Sequence, residues 1–96
     1  MLNKKERIHL RSLAQTLPDL IYIGKEGVTD GVVDQIKDNL FAHELIKIKV
    51  QNSCDDDIND LADNLSRLSA SEVVTTIGSK IVLYKYSEKE KIKHIL

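Results

Sequence analysis

Tryptophan is absent from this chain, and cysteine, proline, methionine and phenylalanine occur once each. Each scarcity excludes something. A single cysteine, Cys54, cannot form an internal disulfide and has no C-x-x-C partner for a metal, so it reads as a small apolar residue at a loop edge. With Phe41, Tyr22, Tyr84 and Tyr86 as the only aromatics, the core must be built from Leu, Ile and Val. No apolar run approaches the ~20 residues of a membrane helix. Met1-Leu2-Asn3-Lys4-Lys5-Glu6 leads into an amphipathic pattern rather than the continuous apolar stretch of a secretory signal. These absences predict a soluble, cytoplasmic protein with no membrane partner. Ninety-six residues, 42% hydrophobic and 30% charged, form one ordinary globular domain.

The formal net charge is −1, so the chain is not basic throughout as many nucleic-acid binders are. Its charge is segregated instead. In residues 1–11, Lys4, Lys5, Arg7 and Arg11 stand against Glu6, four cations less one anion, or +3. In residues 55–67, Asp55, Asp56, Asp57, Asp60 and Asp63 stand against Arg67, one cation less five anions, or −4. A surface polarised in this way accommodates a polyanion on one side only.

Periodicity and end signals order the elements. Asn3 and Glu6 form a capping-box pattern for a first helix, whose apolar stripe is Leu10, Leu13, Ala14 and Leu17. Lys4, Arg7 and Arg11 share a different face, which taken alone is an ordinary solvated helix surface. Ile8 lies off the stripe. Pro18 ends the helix. Leu20-Ile21-Tyr22-Ile23 is a first strand, continuously apolar and therefore expected in an interior position covered on both faces. Thr29 caps a second helix with the stripe Val33, Ile36 and Leu40. Ile46, Ile48 and Val50 alternate with Lys47 and Lys49 in a second strand with one basic face. Ser53, with Asp56 three residues on, is the expected cap of a third helix, whose stripe is Ile58, Leu61, Ala62, Leu65 and Leu68. Residues 73–77 and 81–86 are strands joined by the two-residue turn Gly78-Ser79. Residues 1–86 thus form the domain, with 87–96 a polar tail expected to fray or to form a short extension. The order α-β-α-β-α-β-β predicts an α/β fold with a four-stranded mixed sheet and three helices.

The chemistry concentrates in Gly24-Lys25-Glu26-Gly27. A strand, a tight turn and a helix start meet here. Glycine adopts positive φ and lets another backbone come close, and a helix start presents unpaired N–H groups that suit phosphate. Such a turn needs glycine in any case, and G-x-x-G alone is a weak signal. Gly27 in particular serves either the close approach of another backbone or a positive φ. The Asp55-Asp56-Asp57 run fits the first turn of a helix by its dipole and lacks the EF-hand spacing, so no metal is expected. His43 has no nucleophile or ligand partner nearby in sequence and suits a helix C-terminus.

Together, Gly24-Lys25-Glu26-Gly27-Val28-Thr29, His43-Glu44-Leu45-Ile46-Lys47-Ile48-Lys49-Val50, and Ile77-Gly78 followed by Ile81-Val82-Leu83-Tyr84-Lys85 resemble the YhbY family, the bacterial stand-alone form of the CRM (chloroplast RNA splicing and ribosome maturation) domain. The resemblance runs from about the first helix to Tyr84. It implies an RNA-binding domain associated with precursors of the large ribosomal subunit, a fold like the C-terminal domain of a bacterial translation initiation factor, and a glycine loop similar to the backbone-clamping loop of KH domains. Gly24 and Gly27 match the paired glycines, Lys25 and Glu26 the variable pair, and Lys4, Lys5, Arg7 and Arg11 the basic first helix. Glu26 departs from the small or basic residues common there, and a carboxylate repels phosphate.

The leading expectation is a ribosome-assembly factor that binds ribosomal RNA of large-subunit precursors, with ribosomal proteins as further candidate partners, no DNA and no cofactor. A protein-interaction module built on the acidic third helix is the alternative. A small phosphate- or nucleotide-binding enzyme is another, but the longer Walker and dinucleotide patterns are missing and no base is paired with a nucleophile.

Overall fold

The computed structural model describes residues 2–96. Among these, helix α1 (Lys4–Ala14), strand β1 (Ile21–Ile23), helix α2 (Asp30–His43), strand β2 (Leu45–Val50), helix α3 (Ile58–Ser69) and strands β3 (Glu72–Ile77) and β4 (Lys80–Tyr84) follow in the expected order. The strands form one mixed sheet in the order β1-β2-β4-β3. β1 and β2 are parallel, and β4 runs antiparallel to both β2 and β3.

Local signals account for most of the boundaries. Asn3 and Glu6 make both bonds of a capping box. Thr29 Oγ1 accepts from Val32 N–H at 3.2 Å and opens α2. Gly78 takes φ +58° at the first position of the β3–β4 turn. The cap of α3 differs from the expectation: it is Asp57, not Ser53, and its Oδ1 accepts from the N–H groups of Asn59 and Asp60. Several consecutive cap-competent side chains precede this helix, and the later one shortens it.

The sheet carries a core on each face. On one, Ile36 and Leu40 of α2 and Leu61, Ala62 and Leu65 of α3 pack on Ile21, Ile23, Ile46, Ile48, Ile81 and Leu83. On the other, Leu10 and Ala14 of α1 pack on Leu45, Val74, Val82 and Tyr84. Each buried Leu or Ile contributes roughly 1.5–3 kcal/mol. Leu13 and Ile8 remain exposed.

One expectation fails here. β1 is an edge strand, and its apolar run is divided: Ile21 and Ile23 are buried while Leu20 and Tyr22 are exposed. Of the two expectations for the tail, the structure has the short extension, held against the domain. Glu44 follows α2 at φ 66° and is fully buried, and its carboxylate accepts from Ser87 N–H (2.8 Å) and Ile95 N–H (3.1 Å) and meets His94 Nδ1 at 2.7 Å. The His94 ring stacks on Tyr86 with centroids 4.4 Å apart, and Ile95 joins the second core. A positive φ is uncommon for a residue other than glycine, asparagine or aspartate. Here the carboxylate network holds a glutamate in that conformation.

Burial pushes the Glu44 carboxyl up, but the hydrogen bonds from Ser87, His94 and Ile95 outweigh it, so its pKa lies below the usual glutamate range. A group depressed in the folded state adds stability that is complete above its unfolded pKa of about 4.3 and is lost as pH falls through the folded value. We therefore expect the Ser87 and Ile95 amides to lose exchange protection in acid below about pH 4.3. Glu44→Gln should lose that protection already at neutral pH, together with roughly 1–3 kcal/mol of stability. Equal amide protection in the parent and the variant at neutral pH would remove Glu44 as the anchor.

Candidate nucleic-acid interface

The glycine motif is a tight turn. Gly27 N–H donates to Gly24 C=O at 3.0 Å, which leaves Lys25 and Glu26 exposed at the tip. The turn lies at the C-terminal end of β1 and leads into the capped start of α2. One residue beyond the ladder, Gln51 N–H donates to Ile23 C=O at 2.7 Å, so the loop that leaves β2 runs beside it.

The two glycines differ. Gly27 is buried at φ +66°, and a Cβ there would stand 3.0 Å from Asp56 Oδ2. Its positive φ is thus a requirement of the turn itself. Gly24 has no such φ, and its added Cβ would meet first the mobile end of Gln51, at 2.8 Å from Oε1. The same geometry brings Asp56 against the turn. Sequence reading located the acidic run at the start of a helix and did not place it beside the glycines. Nor do these aspartates form a metal cage: among the described residues no group of three or more His, Cys, Asp or Glu side chains is placed to hold a metal ion. Cys54 is half-buried and packs against the first core.

The basic residues of α1 divide as well. Lys4, Lys5 and Arg11 are exposed. Arg7 is half-buried, and Nη1 donates to Val73 C=O and, at 3.0 Å, to Val74 C=O. Those carbonyls flank the bulge where the β3–β4 register shifts between Val73 and Thr75. Arg7 therefore satisfies acceptors that the irregular ladder leaves over. It fastens α1 to β3 rather than facing solvent with its neighbours. No spacing within α1 could have revealed this, because the partner lies 66 residues away.

A sheet with helices on both faces and a G-x-x-G turn at the end of its parallel edge strand carries the residues that the resemblance requires. Residues 2–85 match the profile of the CRS1/YhbY (CRM) domain. The chain belongs to this family. It is 45% identical over 91 residues to the probable RNA-binding protein YqeI of Bacillus subtilis, covering 95% of each chain. It is 35% identical to an RNA-binding protein of Haemophilus influenzae, covering 96% of this chain and 93% of that one. The solution structure of a hypothetical protein from Staphylococcus aureus superposes with a TM-score of 0.80 at 42% identity, covering 95% of both chains. The CRM match ends at Lys85, just before the segment that Glu44 anchors.

The unequal glycines give a direct expectation. Gly27→Ala should cost about 1–2 kcal/mol, because a left-handed residue acquires a Cβ, and the contact with Asp56 adds to that. Gly24→Ala should stay within about 0.5 kcal/mol of the parent. Urea unfolding of the two variants checks this, and equal losses would show that φ at Gly27 does not matter.

Proposed function

We propose that this CRM protein binds RNA and acts in the cytoplasm in assembly of the large ribosomal subunit, using the Gly24–Gly27 turn and the outward residues of α1. The observation that carries the reading is the exposed turn, with Lys25 at its tip, in a member of a family whose relatives are named as RNA-binding proteins. Backbone N–H groups at the opening of α2 and the Lys25 ammonium are the donors for a phosphate. Lys4, Lys5 and Arg11 extend the contact. Arg7 supports it through β3. Asp55, Asp56 and Asp57 are exposed on the α3 side of the turn, and with Glu26 they repel phosphate. RNA therefore approaches from the side away from α3. The acidic helix is then left free for a basic ribosomal protein. In this reading the protein is a binding module and not an enzyme.

Phosphate contacts release counterions, so affinity for ribosomal RNA should fall steeply with salt. Lys25→Ala should lower the magnitude of the log–log salt slope by about 1 and weaken different RNAs alike. A variant neutralised at Lys4, Lys5, Arg11 and Lys25, with Arg7 retained to keep α1 in place, should lose most of its binding. If that variant is folded and binds unchanged, the interface lies elsewhere. Gradient sedimentation of extracts tests the assembly role: the protein should travel with large-subunit precursors and leave them at high salt.

A further inference from the structure

Helix α1 covers only part of its face of the sheet, since Leu10 and Ala14 reach Leu45, Val74, Val82 and Tyr84. Toward the glycine turn the same face is open. One row of paired residues crosses all the strands there: Tyr22 opposes Lys49, Lys49 opposes Lys80, and Lys80 opposes Ile77. Residues paired in this way share a face, and Lys47 lies on it too, two residues before Lys49. Tyr22 is 57% exposed and Ile77 52%. Tyr22 has no part in the core, which takes Ile21 and Ile23 on the opposite face.

We propose that this open corner receives unpaired RNA, with a base stacked on the Tyr22 ring and adjoining phosphates held by Lys47 and Lys49. The proposal rests on the RNA-binding reading above and specifies the form of RNA. Charge complementarity favours a polyanion. Asp19 matches Lys80 at 3.3 Å, so the surplus charge comes from Lys47 and Lys49. Lys49 Nζ donates to Ser79 Oγ at 2.5 Å, which orients the ammonium and leaves two of its N–H groups for phosphate. Tyr22 lies two residues before Gly24, so a strand whose backbone passes the turn continues onto the ring. A base can lie on an aromatic side chain only after leaving its own stack, whereas a duplex offers phosphates and 2′-hydroxyls. This surface therefore discriminates single-stranded from paired RNA.

The test is fluorescence anisotropy with a labelled adenosine homopolymer and with a labelled RNA duplex, on the full chain and its Tyr22→Ala and Tyr22→Phe variants. Tyr22 is an exposed edge residue, and thermal melts establish that both variants are folded. Tyr22→Ala should weaken single-strand binding by about five- to a hundred-fold. Duplex binding should be unchanged, and Tyr22→Phe should keep the parent affinity for both. Unchanged single-strand binding by Tyr22→Ala overturns the stacking site while leaving RNA binding standing, and so does an equal loss on both RNAs. If the parent binds neither RNA, the RNA-binding reading itself fails and the platform with it.

Discussion

The parallel pairing of β1 with β2 constrains everything around the candidate site. Two parallel neighbours leave the sheet at the same end, and each here passes into a helix on the same face. The exits must then run side by side, which the bond from Gln51 N–H to Ile23 C=O secures. The Lys25 turn and the aspartate loop become neighbours for that reason alone. Both helix starts already have their own caps, Thr29 and Asp57. Anions at these ends are favourable to the helices, yet they narrow the direction from which a phosphate can reach the turn. In open α/β sheets ligands commonly gather beyond the carboxyl ends of the strands. In this chain that end sets Lys25, beside Glu26, against the three aspartates that lead into α3.

Signals confined to a few residues were legible in the sequence. The capping box of α1, the Thr29 cap, the Gly78-Ser79 turn and the element order all depend on chemistry within about one turn of chain. The glycine loop was legible for the same reason. Apart from the cap of α3, where several local candidates compete, what escaped depends on distant partners. The run from Leu20 to Ile23 cannot show that two of its members face solvent, because edge and interior strands differ only in what lies alongside. Arg7 has the spacing of a surface residue, and its role is set by a bulge in β3. The tail read as polar because its anchors are backbone amides and one histidine, all directed at Glu44. The row from Tyr22 to Ile77 exists only once the register of four strands is known.

A net charge of −1 gives these placements their weight. A strongly basic protein draws in nucleic acid from a distance. This chain cannot, since fields beyond the Debye length of about 8 Å at physiological salt are screened, and its summed charge has the wrong sign. Attraction must come from cations that RNA touches. Arg7 is committed to β3 and Lys80 to Asp19. On the reading proposed above, the positive surface that RNA touches is the outward side of α1, the tip of the turn and the Lys47–Lys49 side of β2. Contacts so few and so local make affinity depend on how well an RNA follows their spacing. In the proposed site, the exposed Tyr22 ring among the lysines would add attraction that salt does not screen, which a nearly neutral binder needs more than a basic one does.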